Sequence, residues 1–147
     1  MTRVVVLALA LALAACGGGD ASKALPADEA AQLLINRNWM DLWPETESER
    51  LHVLRFVPAM GGGVYQDRTL FAGQFELFTF QVKGEHIHFD LPHTKDTHES
   101  TFKIERVSGP EPFDLKLTLD PTPRGPAAYF GRSAETADTL EPLAPLR

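Results

Sequence analysis

The pattern of apolar and polar positions over residues 75–91, FELFTFQVKGEHIHFDL, reads as two strands joined by a tight turn. Successive side chains of a strand point to opposite faces. Two strands joined by a tight turn at Lys83-Gly84 or Gly84-Glu85 put Phe78, Phe80 and Val82 on one face together with Ile87, Phe89 and Leu91. Thr79, Gln81, His86, His88 and Asp90 share the other face. A slip of one residue would carry the phenylalanines to the polar side, so the pattern fixes the register. Gly84 supplies the positive φ that a short hairpin turn needs.

The same reading extends along the chain. Pro26 opens a short helix over 26–35, with Asp28 and Glu29 at its positive end and Leu33 and Leu34 to pack. At that length only packing onto something larger holds it. A first strand is expected over 39–43, opening on Trp39 and ending before Pro44. A second strand covers 49–57, but its apolar parity switches from Leu51 and Val53 to Leu54 and Phe56. Either both faces are partly covered or a bulge shifts the phase. Residues 58–63 form a turn, and 64–66 and 69–72 are short strand candidates around a turn at Asp67-Arg68.

After the hairpin come a polar loop over 92–99 and a strand over 100–107. A turn at 108–112 leads to a strand over 113–119, with Phe113, Leu115, Leu117 and Leu119 inward. Residues 120–126 hold three prolines and read as a loop. Residues 127–131 read as a closing strand, and 132–147 as a poorly ordered tail. The sum is a short helix and about eight strands spaced every ~10 residues, which predicts an all-β antiparallel barrel or sandwich. One domain over 26–131 accounts for the pattern.

The N-terminus has a different character. A basic start at Arg3 precedes an unbroken apolar run over 4–15. The run is too short to span a bilayer and suits the apolar core of a secretory signal over 1–15. It ends in Leu13-Ala14-Ala15-Cys16, which resembles a bacterial lipobox. That resemblance implies lipidation of Cys16, which becomes the new N-terminus and carries several acyl chains such as palmitate. Two or more chains anchor a protein stably where one is marginal. Residues 16–25 then serve as a flexible tether, led by Gly17-Gly18-Gly19. Gly17, where inner-membrane lipoproteins carry Asp, implies the outer membrane.

Cys16 is the only cysteine, so the mature domain is held by packing without a disulfide. The chain carries a formal net charge of −6, and loss of Arg3 with the signal makes the balance one unit more negative. An acidic domain is a poor partner for nucleic acid or an anionic membrane face.

The order of features over residues 30–131 resembles small bacterial lipocalin-like lipoproteins. The matching residues are Leu33-Leu34, Trp39, Phe56 with Gly62-Gly63 and Tyr65, Gly73, Phe102-Ile104, and Leu115-Leu117-Leu119. The resemblance implies a lipocalin-like barrel with Trp39 closing its floor. The chain departs from true lipocalins in two places. Arg37 stands where they have Gly, and their later Thr-Asp-Tyr motif is missing. The barrel is therefore carried over, and no ligand.

Candidate chemistry is sparse. His86 and His88 lie two apart on one strand face, about 7 Å apart, a spacing that can chelate a metal. His93 or His98 would supply a third ligand, and Asp90, Asp96 or Glu99 a carboxylate. A solvated hairpin face accounts for the same histidines. No serine lies in a G-x-S-x-G context, and no H-E-x-x-H or phosphate-binding glycine loop occurs. No enzyme activity and no cofactor are expected. Phe71, Phe75 and Leu77 fall opposite the main stripe, where they would line an apolar ligand cavity or pack against the N-terminal helix.

These features predict a lipid-anchored envelope protein that binds a small apolar ligand or is a passive envelope component. The alternatives are a module that binds or inhibits another envelope protein, or a metal carrier. A continuous inward cavity favours ligand binding. A filled barrel with an exposed apolar patch favours interaction.

Overall fold

The computed structural model describes residues 23–135, and within them the chain forms a closed barrel of eight antiparallel strands in sequential order. Residues 1–22, which hold the expected signal segment and Cys16, and residues 136–147 lie outside the described residues. One helix, α1 (Ala27–Leu34), precedes the strands. They are β1 (Trp39–Met40), β2 (Leu51–Val57), β3 (Gly62–Arg68), β4 (Gly73–Lys83), β5 (His86–Leu91), β6 (Asp96–Arg106), β7 (Leu115–Asp120) and β8 (Ala128–Gly131). Every strand pairs with its sequence neighbours, and β1 closes the cylinder by pairing with both β2 and β8.

The expected hairpin is present in the expected register. Phe80 pairs with Phe89, Val82 with Ile87, and Lys83 with His86 across Gly84-Glu85, where Gly84 takes φ +59°. The two halves of β4 have different partners. Gly73–Phe78 pairs with β3 and Thr79–Lys83 with β5. This stagger is what tilted strands need in order to close into a barrel.

The inward stripe fills the cylinder. Phe56 sits at the centre of an aromatic cluster, 5.5 Å from Phe78, 5.0 Å from Phe80 and 6.0 Å from Phe89 between ring centroids. Ile87, Leu91, Ile104, Leu115, Leu117, Leu119 and Tyr129 complete the buried lining. α1 covers one end of the barrel, with Ala30 and Leu34 buried in this core. Trp39 is fully buried beneath the helix, and its indole N–H donates to the carbonyl of Leu34 at 2.9 Å. Trp39 thus occupies the floor position expected for it.

The parity switch in β2 has a physical reason. Leu54 and Phe56 face the interior, whereas Leu51 and Val53 join a second apolar cluster outside the sheet. That cluster holds Met40 and Phe113, with Trp43, Leu42 and Phe130 packed against it. Both faces of β2 are covered, and its seven residues pair with β3 without interruption, so no bulge is needed. Phe113 corrects the expected inward set. It lies before β7 begins, stacks on Phe130 at 5.8 Å and meets Trp43 edge-on at 6.1 Å.

Other boundaries differ. β1 stops at Met40, because Asp41 turns back to β2. Its carboxylate accepts the backbone N–H of His52 at 2.8 Å. The two short strands expected over 64–66 and 69–72 are one strand, β3, followed by a tight turn in which Thr69 N–H bonds to Ala72 O. β6 starts at Asp96 rather than 100, which shortens the polar loop to four residues, Pro92 to Lys95. Ala24 and Leu25, expected in the tether, pair with Glu105 and Ile104 of β6. Arg132 to Glu135, expected at the start of a poorly ordered tail, are packed against the barrel, with Glu135 only 6% exposed.

Candidate functional site on the outer face of the barrel

Three places gather side chains with chemical potential: the polar mouth, the histidine face and an apolar strip on the outside.

The mouth lies at the end opposite α1, where inward positions turn from apolar to charged. His52 sits between two carboxylates, its Nδ1 2.6 Å from Asp41 and its Nε2 3.9 Å from Asp67. Its ring stacks on Tyr65 with centroids 6.1 Å apart. Arg50 forks onto Asp67 through Nε and Nη2, and this hydrogen bonding holds the Asp67 carboxyl below its ordinary range. Arg124, from the loop between β7 and β8, reaches across to Glu76 of β4 at 2.8 Å and to Asp96 at 3.7 Å. The Tyr129 hydroxyl donates to the Arg124 carbonyl at 3.2 Å, and burial pushes its phenol far above the usual value. Burial also raises Tyr65, helped by the charges of Asp67 and Asp41. Both tyrosines therefore stay protonated, and Tyr129 serves as a donor. Apart from the buried His98 Nε2, which has no hydrogen-bond partner, the ring nitrogens and charges at this mouth are matched to one another. No periodic signal marks Asp67, Asp96 and His98, whose neighbours are also polar, and Glu76 stands between Phe75 and Leu77, where alternation alone would point it away from the interior.

The four histidines do not converge. His86 and His88 are on the outer face of β5, beside Glu99 at 3.3 Å and Asp90 at 3.6 Å. Both border a surface groove with Gln81, Lys83 and Glu99. His98 pairs with the fully buried Phe89 and so faces inward, and His93 lies in the exposed loop after β5. Strand parity therefore separates His98 from the pair it was expected to join. Among the described residues, no three His, Cys, Asp or Glu side chains form a metal-binding group.

Phe71, Phe75 and Leu77 also stand elsewhere than expected. They neither line an interior cavity nor lie under the helix, which packs on β6. Phe75 and Leu77 occupy the outer face of β4 and are 72% and 60% exposed. Phe71 projects from the β3–β4 loop at 78%, and Met60 from the 3-10 turn Pro58–Met60 at 84%. Leu77 pairs with Val64 and Phe75 with Gln66 across the β3–β4 ladder. The result is an open apolar groove of about 510 Å³ bordered by Met60, Val64, Phe75, Leu77 and Pro92. A second depression of about 300 Å³ continues it past Phe75 to Phe71.

Arg68 holds the loop that carries Phe71. Its guanidinium donates to Thr69 O at 2.8 Å, Gln66 Oε1 at 3.1 Å and Leu70 O at 2.5 Å. Three bonds from one side chain give the turn a fixed shape, so Phe71 is presented rather than merely left outside. The strip is also distinct in charge. The outward positions of β2, β3 and β4 hold no Asp or Glu, and their charged residues are Arg55, Arg68 and Lys83. In a chain with 20 acidic and 14 basic residues, this face departs from the average.

Among the described residues, no helix is long and apolar enough to cross a membrane. No protein family, no curated protein and no solved structure matches this chain.

Proposed function

We propose that the protein is a lipid-anchored, non-enzymatic component of a bacterial outer membrane that binds an apolar partner on the outside of its barrel. The observation that carries this reading is the contrast between a packed interior and an exposed strip of Met60, Phe71, Phe75 and Leu77. Monomeric soluble proteins rarely leave large contiguous apolar patches uncovered, and those they leave mark interaction sites. The groove's volume also falls within the roughly 300–1,000 Å³ of small-molecule sites. The Leu13-Ala14-Ala15-Cys16 sequence supports the anchor, and Gly17 supports the outer membrane.

Two measurements test it. The intact mass of protein extracted from its membrane should show acyl chains on Cys16. An environment-sensitive naphthylamine dye should light up on the protein and lose most of that signal in Phe75→Ser/Leu77→Ser. An unacylated mass sinks the anchor, and dye binding unchanged by the double substitution sinks the strip.

A further inference from the structure

We infer that the partner of the outer strip is the phospholipid surface itself, so that the barrel lies on its side against the leaflet with β3 and β4 facing the lipid. This inference rests on the proposed anchor and names what the strip binds.

Reach is the first argument. Seven residues, Gly17 to Lys23, separate Cys16 from Ala24, which is bonded to β6. Fully extended they span at most about 25 Å, at ~3.6 Å per residue. The barrel therefore never leaves the neighbourhood of the leaflet, and a second contact with lipid is intramolecular. Linked sites gain effective concentration in this way, so an affinity too weak to hold a free protein suffices for a tethered one. A protein partner has no such advantage.

Side-chain chemistry is the second. Apolar side chains that enter an interface bury about 5–10 Å into the headgroup and acyl boundary. Met60, Phe71, Phe75 and Leu77 project from a strand face and two adjoining turns, where such shallow entry is sterically open. Carboxylates are repelled by anionic headgroups and costly to desolvate, and the outward positions of β2–β4 have none. Arg68 has no carboxylate ion-pair partner among the described residues and lines the strip beside Phe71. The negative net charge of the chain resides on other faces, where it is screened beyond roughly 8–10 Å at physiological salt.

The test uses the full lipoprotein in vesicles of phosphatidylethanolamine and phosphatidylglycerol. Cysteines introduced by Phe75→Cys or Met60→Cys, both at exposed positions, are labelled with a polarity-sensitive nitrobenzoxadiazole dye. Lys103→Cys, on the outer face of β6, is the control. Lipids carrying a shallow nitroxide should quench the dye at 75 and 60 several-fold more than at 103, with a blue shift at the first two. Equal, weak quenching at all three positions overturns the inference. A blue shift at 75 without quenching also overturns it, because a second copy or another segment of the chain then covers the strip. The intact mass separates the two readings. Acylated protein with an unquenched dye overturns this inference alone, and unacylated protein with an unquenched dye overturns the anchor as well.

Discussion

The carboxylate of Glu135 accepts two hydrogen bonds from Asn38, one from its backbone N–H at 3.0 Å and one from its side-chain amide at 2.8 Å. Arg55 adds a charge at 3.7 Å and donates to the side-chain Oδ1 of Asn38 at 3.0 Å. A residue beyond the last strand is thus locked to the residue before the first. Glu135→Ala leaves the backbone N–H and the side-chain amide of Asn38 without their acceptor and removes the charge facing Arg55. The expected loss is about 1–3 kcal/mol, the usual cost of an unsatisfied buried polar group. Urea denaturation should show a lower midpoint at unchanged slope, and Glu135→Gln should lose less.

Trp39 and Gly131 are in close approach. A Cβ at 131 would sit 2.9 Å from Cζ3 of the indole. The ring is held by its bond to Leu34 O and has no room to retreat. Gly131→Ala should therefore cost about 1–3 kcal/mol through overpacking. A lower melting temperature with a changed tryptophan spectrum would identify the cause.

Phe56→Ala removes the ring that touches Phe78, Phe80 and Phe89. The loss should be about 3–5 kcal/mol, the range for a large aromatic truncated in a core. An apolar void in this position should also take up benzene or xenon, as lined apolar cavities do. Rescue of the melting temperature by benzene would show that the interior is filled by its own side chains and not shaped for a ligand.

Asp114 links stability to pH. Burial works to raise its carboxyl, but the hydroxyl and backbone N–H of Ser133, with the charge of Arg106, outweigh burial and lower it. A carboxyl depressed in the folded state contributes stability above its unfolded value, about 3.9. That contribution is lost as pH falls through the folded value. Asp114→Asn should be less stable than the parent at pH ~7, and the difference should narrow below pH ~4. Urea midpoints at the two pH values check this, and an equal gap at both refutes it.

Much of the barrel was legible because its inward stripe is apolar on both strands of each pair. The 75–91 hairpin and the Leu115, Leu117, Leu119 run show this directly, since one parity carries nearly all the burial. Legibility failed where polarity stopped reporting on facing. Asp96 and His98 face inward at the mouth and Thr97 and Glu99 face outward, so no alternation marks the start of β6. Leu51 and Val53 were ambiguous for the opposite reason: a second cluster covers the outside, so both parities are apolar. Phe75 and Leu77 read as apolar residues on the wrong face. Sequence alone cannot distinguish a covered outer face from an open one, and their exposure emerges only once the helix is seen on β6.

β1 is two residues long, and Met40 with Phe130 is the single register pair that joins it to β8. With so short a ladder, closure at this seam depends on side chains as well: Glu135 holds Asn38, Arg37 donates to the Arg132 carbonyl at 2.6 Å, and Phe130 packs on the cluster around Met40. The free energy of a local opening grows with the contacts it breaks, so these side chains, more than the single ladder pair, set what it takes to part the first strand from the last.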